Sequence, residues 1–353
     1  LCPVTASDKP REGVDFFPLS VDYEEKMYSV GRFPGSFQRR EGKASEKAIL
    51  SSRCIDRPIR PLFPKDMRND CSVVATVMSV DPDCSPEITA AIGVSAAIAV
   101  SDIPWDGPIA STAVGLVDGE IVINPTLEQR EKTDLTLTVS STEDLVAMIE
   151  AGGNEIPEDL MYDCIMAGHE VNKEIVKFIK GIVAEIGKEK FTFESSNPDP
   201  EIMEEIENFC IEDVKKALDT DDKNVRDAAL LPIYDAVHAK FDEKFEGNEA
   251  KIDEIMYLVQ KHVVRSWLKD EHKRVDGRGI DEIRPLDAEI DLLARAHGSG
   301  MFTRGQTQVL SVATLAPISE AQKLDGLDED ISKRYMHHYN FPSYSVGETK
   351  PSR

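Results

Sequence analysis

A repeated tetrapeptide constrains the fold of this 353-residue chain more than any other feature. Residues 28–31 are Tyr-Ser-Val-Gly, and the same four residues return at 344–347, 316 positions later. An aromatic-rich, strand-like run precedes both, and "CPVTAS" (2–7) aligns with "LSVATL" (310–315) at a spacing of 308. The matching context favours duplication over chance, with a longer loop in the second copy. We expect the end of one domain, an intervening region and the start of its copy.

The first 190 residues predict a mixed α and β domain. "CSVVATVMSV" (71–80) is typical of a strand and 88–100 of a helix, and Asp118-Gly119 predicts a hairpin turn between two Val/Ile-rich runs. Residues 135–139 predict a strand that enters a helix ended by Gly152 and Gly153. A longer helix is expected after Pro157.

Beyond residue 200 the apolar residues recur at helical spacing, as in Ile202, Ile206 and Phe209, with no convincing strand among them. This predicts an acidic all-helical module. Strand-like runs resume with "AEIDLLAR" (288–295) and "TQVLSVATLAP" (307–317). We therefore expect three domains, at 1–190, 191–270 and 271–353.

The net charge of −24 requires any nucleic-acid site to be local. Residues 32–68 provide one candidate, with ten Lys and Arg against four Asp and Glu. Within this basic segment Phe37, Gln38, Arg39 and Arg40 follow one another between glycines. An aromatic ring beside two guanidinium groups suits single-stranded nucleic acid, which needs a stacking face and phosphate contacts. A solvated basic surface with Phe37 as a loop anchor explains the pattern equally well.

A helix should follow the basic loop, with Ser45 as its N-cap. We expect it to end near Arg57, because Pro58 cannot continue it. Arg53 and Arg57 lie one turn apart on one face of this helix, and Arg60 follows just beyond.

Other motifs are weaker candidates for chemistry. "RAHGSGMFTRGQTQ" (295–308) lacks the ending of a phosphate loop and favours a tight strand connection. "RVDGRGIDEIRPL" (274–286) fits interdomain salt bridges as well as function. His297, His337 and His338 could be acid-base groups or ligands, but a structural role is favoured for each.

The cysteine pattern and the apolar stretches of the sequence indicate the compartment of the protein and whether it associates with membranes. The six cysteines are scattered without C-x-x-C spacing, as expected of thiols in a reducing cytoplasm. The first residues show no secretory signal, and the most apolar stretch, 88–100, is too short to cross a bilayer. We expect a cytoplasmic protein that does not associate with membranes.

Several long motifs in the same order resemble the bacterial polynucleotide phosphorylase family, which is ribonuclease PH-like. They are the run from "DFFPLSVDYEEKMYSVG" through "RPLFPKDMRND" (15–70), "RVDGRGIDEIRPL", "HGSGMFTRGQTQ" and "HYNFPSYSVGET". The resemblance implies an α+β fold of two ribonuclease PH-like domains (ribosomal protein S5 domain 2-like) joined by an all-helical domain. It further implies that the first of these domains is clipped at its N-terminus and the second is truncated.

The resemblance also implies an activity, which is phosphate-dependent 3′-to-5′ degradation of RNA with release of nucleoside diphosphates. Inorganic phosphate is the co-substrate, and Mg²⁺ or Mn²⁺ is expected for the whole protein. The implied partners are single-stranded RNA, two further copies in a homotrimer, and an RNA-degradation assembly.

Site residues follow from the same resemblance. Phe37, Arg39 and Arg40 match the family's channel loop, and the family has a second aromatic residue where Gln38 stands, which predicts weaker stacking here. Arg53, Arg57 and Arg60 match an arginine-rich stretch linked to RNA binding. Arg304 matches an arginine near the active site.

The main catalytic and metal-binding segments of the family have no counterpart in this sequence. We therefore expect the chain by itself to be an inactive part of a polyribonucleotide nucleotidyltransferase. The alternative is a non-catalytic module that binds RNA or supports a trimer.

Overall fold

The computed structural model describes residues 1–11, 13–35, 38–245, 249–327 and 331–349. The chain divides into two compact units. The first unit combines Leu1–Ser196 with Ile318–Arg353, and the second is Asn197–Pro317. The predicted three-domain division stays a prediction.

The first sheet of the first unit has the strand order β1-β3-β2. Its strands are β1 (Val4–Ala6), β2 (Leu19–Glu25) and β3 (Cys71–Val77). Because β2 and β3 are parallel, a crossover must join them, and helix α1 (Glu46–Ile59) lies in that connection. Every second residue of β3 is buried, and helix α2 (Pro86–Val100) packs on this strand.

The second sheet is antiparallel, with the order β5-β4-β6-β7. Its strands are β4 (Ala110–Val117), β5 (Glu120–Ile123), β6 (Leu135–Ser141) and β7 (Val146–Gly153). The predicted hairpin is confirmed, because Asp118 (φ +54°) and Gly119 (φ +83°) connect β4 to β5. The short helix α3 (Leu127–Lys132) follows β5.

The helix predicted to end at Gly152 and Gly153 is wrong, because these residues end strand β7. A turn closed by Thr142 and Leu145 reverses the chain, and β7 pairs along β6. Only Met148 of this edge strand is buried, so the strand shows no alternating apolar pattern. Pairing with β6 overrides the helical preference of its Ala, Met and Glu residues.

Helix α4 (Glu158–Ile186), predicted after Pro157, packs on β4 and β6. A buried polar network joins helix and sheet. Thr112 donates to Asn172 (2.7 Å), Asn172 donates to Ser141 (3.0 Å), and His169 Nδ1 lies 2.9 Å from the same hydroxyl. Each of these buried polar groups therefore has a partner.

The second unit begins with the predicted helices, which are α5 (Pro200–Leu218), α6 (Lys223–Phe241) and α7 (Glu249–Ser266). Their apolar faces form one core, and Trp267 lies at its end. Three antiparallel strands follow, which are β8 (Leu286–Ile290), β9 (Gly298–Arg304) and β10 (Thr307–Ala313). The strand predicted at 288–295 ends at Ile290, and half of the predicted connection at 295–308 is itself strand β9.

The remaining part of the first unit carries the second tetrapeptide. Strands β11 (Gln322–Leu324) and β12 (Ile331–Lys333) pair with each other and precede it. Both tetrapeptides form 3-10 turns rather than strand ends, and both turns stop at a left-handed glycine, Gly31 (φ +69°) or Gly347 (φ +74°). In each, the glycine and the next residue donate to carbonyls three and five positions earlier. The two copies therefore share one backbone geometry.

Helix α1 confirms Ser45 as the N-cap, since its hydroxyl accepts the Ala48 N–H. The predicted end near Arg57 is two residues too early, because the helix continues through Pro58 to Ile59. Proline removes one hydrogen-bond donor, and the ladder resumes when the Arg60 N–H bonds to Asp56. No helix among the described residues is long and apolar enough to cross a membrane.

Candidate nucleic-acid interface

The candidate interface is centred on the loop of residues 31–45, called here the basic loop. It begins at the left-handed Gly31 and ends at Ser45, the N-cap of α1. Gln38, Arg39 and Arg40 are exposed in it. Phe37, the predicted stacking residue, lies outside the described residues.

The base of the basic loop is fixed by two carboxylates. Glu41 Oε1 accepts the Met27 N–H at 2.9 Å, and Glu41 Oε2 lies 3.4 Å from Lys26 Nζ. At the other end Ser45 donates to Glu25 Oε2 at 2.8 Å. The C-terminal part of the loop is thereby held against β2 and the turn that follows it.

Two contacts with the C-terminal part of the same unit add to this anchoring. Arg32, the second residue of the loop, donates to the carbonyl of Gly326. Glu46, the first residue of α1, forms a 3.1 Å ion pair with Lys333. The adjacent Leu327 is buried in the core of the unit, so these contacts connect the loop to a packed segment.

Arg39 has an unusual backbone conformation, with φ at +52°. Its guanidinium donates to the Pro34 carbonyl at 3.3 Å, across the loop. Non-glycine residues adopt this region at a cost and stay there only where the surroundings hold them. The backbone conformation of Arg39 therefore sets the direction in which the side chains of Arg39 and Arg40 leave the loop.

The three predicted arginines of α1 differ in their partners. Arg53 is exposed and forms no ion pair within the described ranges. Arg57 is half exposed and lies 2.7 Å from Glu150 of β7. Arg60 donates to both oxygens of Asp56, at 2.7 and 3.0 Å, and to the Leu19 carbonyl. Arg53 is therefore the most accessible of the three, and Arg60 holds α1 to β2.

Arg304, the predicted active-site neighbour, is exposed at the end of β9. It belongs to the second unit, whereas the basic loop belongs to the first. His297 accepts the Leu315 N–H at 2.8 Å, which is a structural role, and His337 and His338 are exposed. The roles of all predicted site residues stay predictions.

The arginine-rich segment 274–286 forms local ion pairs in place of the predicted interdomain ones. Asp276 Oδ2 accepts Arg278 at 3.0 Å and Arg284 at 3.1 Å. Burial acts to raise the pKa of Asp276, but the hydrogen bonds from the two arginines outweigh it and lower the pKa overall. The segment stabilises its own turn.

The described residues form no metal-binding cluster, and the two cysteines Cys71 and Cys210 are buried. Across the described ranges no three His, Cys, Asp or Glu side chains converge to hold a metal ion, so the expected Mg²⁺ or Mn²⁺ finds no fitting site among them. All six cysteines are free. Burial raises the pKa of Cys71 to about 12 and that of Cys210 to about 11, so both stay protonated at neutral pH.

Sequence reasoning missed the residues that anchor the basic loop, namely Glu25, Lys26, Arg32 and Glu41. For these anchoring residues the sequence offers one signal, which is that Glu41 directly follows Arg40. The partner of Arg32 lies 294 residues away and has no sequence signal.

Known protein families match most of the chain. The model described as "3′ exoribonuclease family, domain 1" matches residues 1–104 and 282–353, and "domain 2" of that family matches 107–171. The model described as "Polyribonucleotide nucleotidyltransferase, RNA binding domain" matches 201–279. The two domain 1 segments contain the two tetrapeptides, which supports the predicted duplication.

Curated relatives carry the name polyribonucleotide nucleotidyltransferase. That of Lachnoclostridium phytofermentans is 60% identical over 355 residues, covering 100% of this chain and 51% of the relative. Those of Ruminiclostridium cellulolyticum and Clostridioides difficile are each 54% identical, covering 99% of this chain and 50% of the relative. The chain thus spans about half the length of the curated relatives it matches.

Among solved structures, the crystal structure of rice (Oryza sativa) Rrp46 matches 52% of this chain and 82% of its own, with 14% identity and a TM-score of 0.43. The family assignment depends instead on the domain models and on the curated relatives. Both ribonuclease PH-like domain types and the intervening helical region are matched, which confirms the predicted α+β fold. The chain therefore belongs to the 3′ exoribonuclease family.

Proposed function

We propose that this chain binds and guides single-stranded RNA within a phosphate-dependent 3′-to-5′ exoribonuclease, a polyribonucleotide nucleotidyltransferase. The whole protein would transfer the 3′-terminal nucleotide of RNA to inorganic phosphate and release a nucleoside diphosphate. The observation that carries the proposal is the anchored basic loop, which exposes Arg39 and Arg40 within an otherwise acidic chain. The names of the curated relatives support the same activity.

The basic loop would act by holding phosphates. A guanidinium group donates paired hydrogen bonds to phosphate oxygens, and adjacent arginines contact successive positions along a strand. Because Arg32 holds its beginning, and Glu41 and Ser45 hold its C-terminal part, the loop loses little conformational freedom when RNA binds. Phe37 is proposed to stack on a base, with Arg53 and Arg57 extending the contact along α1 and Arg60 positioning that helix.

Further features of the whole protein belong to the same proposal. We expect a homotrimer in the cytoplasm that takes part in an RNA-degradation assembly and uses Mg²⁺ or Mn²⁺. Arg304 is proposed to lie near the phosphorolytic site. No role described here for the arginines depends on the metal.

The salt dependence of RNA binding tests the basic loop. Each phosphate contact to single-stranded RNA contributes about 0.7 to the slope of log K against log salt. The double variant R39A/R40A should flatten the slope by roughly 1.4. The control K173A/K177A removes two solvent-accessible lysines of α4, which pair with Glu170 and Glu174, and should leave the slope unchanged. Equal slopes for the two double variants would refute the proposal.

The alternative is a module that binds RNA or supports a trimer without catalysis. It is favoured by one observation, that the described residues form no metal-binding cluster. Incubation of the chain with poly(A), phosphate and Mg²⁺ tests this alternative. Release of nucleoside diphosphates would exclude it, whereas RNA binding without release is expected of the chain alone in both cases.

A further inference from the structure

We infer that Glu41 is a positioning residue, which sets the placement of Arg39 and Arg40 for RNA without touching RNA itself. This inference rests on the proposed function, because it concerns how the basic loop presents its arginines. It assigns a role to a carboxylate that neither the family descriptions nor the sequence motifs single out.

The first argument is the hydrogen bond that Glu41 makes. Its Oε1 reaches back 14 residues to the N–H of Met27, the first residue of the 3-10 turn before the loop. An N–H at the start of a helical turn has no partner inside the turn and needs one from elsewhere. Glu41 supplies that partner, and the bond closes residues 27–41 into a ring that contains both arginines.

The second argument is the compensation of the Glu41 charge. Its other oxygen, Oε2, lies 3.4 Å from Lys26 Nζ, which also lies 3.1 Å from Glu24. The hydrogen bond to Glu24 raises the pKa of Lys26, and the one to Glu41 adds to it despite partial burial, so Lys26 stays charged at neutral pH. The Glu41 side chain is only 32% exposed. This anchor is thus a partly buried, charge-assisted contact, a stronger kind than an exposed ion pair.

The third argument is the backbone of Arg39. A φ of +52° is unfavourable for arginine, and Glu41 lies only two residues downstream. Without the anchor, Arg39 is free to relax to negative φ, which reorients its own side chain and that of Arg40. The carboxylate therefore determines where two RNA-binding groups point.

A different role for Glu41 makes the opposite prediction. If its charge merely lay close to RNA, removing the charge would strengthen binding by reducing repulsion of phosphates. If it positions the arginines, removing it weakens binding although the chain becomes less acidic. The sign of the change separates the two roles.

The experiment compares E41A and E41Q with E174A as the matched control. Glu174 carries the same charge and pairs with Lys177 on α4, outside the ring of residues 27–41 and outside the contacts that anchor the loop. Two properties are measured on the full chain. One is the affinity for single-stranded poly(A) over a salt series, and the other is the initial rate of tryptic cleavage after Arg39 and Arg40, which reports loop opening without RNA.

We expect E41A to weaken RNA binding roughly tenfold or more, the size of effect given by loss of a hydrogen bond to a charged group. Its tryptic cleavage should accelerate by a similar factor, and its salt slope should stay unchanged, because both arginines remain. E41Q keeps an acceptor for the Met27 N–H and should recover most of the affinity. E174A should bind RNA as tightly as the unmodified chain.

The outcomes separate this inference from the proposed function. Cleavage of E41A at the wild-type rate, together with an RNA affinity equal to that of E174A, overturns the inference, while a flattened slope for R39A/R40A would leave the proposed function intact. An unchanged slope for R39A/R40A refutes the proposed function, and with it the role of Glu41 in RNA binding. If E41A does not fold, E41Q provides the test. Loss of its charged contact with Lys26 should raise the rate of tryptic cleavage about twofold. An unchanged cleavage rate for E41Q then overturns the inference.

Discussion

Two glycines of helix α4 provide a direct test of how closely the helix packs on the second sheet. A Cβ added at Gly168 would lie 3.0 Å from Val114 Cγ2 and 3.1 Å from Val139 Cγ2. A Cβ added at Gly181, thirteen residues further along the same helix, would meet no atom within 4 Å. The two substitutions by alanine therefore share their effect on helix propensity and differ in packing.

The magnitudes follow from these distances. Replacing a glycine by alanine inside a helix stabilises by about 1 kcal/mol, so G181A should raise the free energy of unfolding by roughly that amount. At Gly168 the new methyl group is about 0.5 Å inside the ordinary contact distance of two fully buried valines. Valine in a strand has little rotamer freedom, and overpacking costs about 1–3 kcal/mol. We expect G168A to be destabilising by about 1 kcal/mol net, and to be about 2 kcal/mol less stable than G181A.

Urea unfolding followed by tryptophan fluorescence measures this difference. The chain has two tryptophans, and Trp105 lies in the first unit with its indole N–H bonded to the Ile59 carbonyl at 3.0 Å. In a W267F background, Trp105 reports the unfolding of the unit that contains α4. If G168A is as stable as G181A, the close approach of α4 to the sheet is refuted.

Two further predictions concern charged side chains. E150Q removes the ion pair of Arg57, so that this arginine becomes fully available to phosphate. The slope of log K against log salt should steepen by up to about 0.7, and an unchanged slope would refute the expectation that Glu150 competes with RNA for Arg57. Hydrogen bonds from His238 to Asp242 and then to Asp253 raise the pKa of His238 above its ordinary value. Its contribution to stability is therefore fully present below the unfolded pKa of about 6.5 and is lost as the pH rises through the folded pKa. The urea midpoint of the helical module, followed by Trp267 fluorescence, should fall as the pH rises above about 6.5. D253N should reduce that fall, and equal pH dependence in both proteins would contradict the assignment.

Local physical chemistry explains which elements could be predicted from the sequence. Asp118-Gly119 requires a turn with positive φ at both positions, and Ser45 offers its hydroxyl to the first turn of α1. Helices α5, α6 and α7 bury residues at spacings of three and four. Each of these signals lies within a few residues of the structure it determines.

The sequence-based predictions failed where contacts with residues distant in sequence determine the local structure. Strand β7 contains helix-favouring residues and buries only Met148, and pairing with β6 fixes its conformation. The basic loop shows the same limit, because composition identified its arginines but not their partners. Glu150 lies 93 residues from Arg57, and Gly326 lies 294 residues from Arg32. Predicting which arginines stay accessible requires the fold.

The charge distribution constrains how RNA could use the two units. The segment that matches an RNA binding domain, 201–279, has 20 Asp and Glu against 13 Lys and Arg, whereas residues 32–68 have the opposite balance. Phosphate contacts dominate nucleic-acid affinity. A surface with a net negative charge repels the RNA strand, even where single lysines lie on that surface. Many lysines of the helical module are also paired with carboxylates, as Lys215 is with Glu212 and Lys273 with Asp219. Under the proposed function, initial capture of RNA therefore falls to the basic loop and α1 rather than to the helical module.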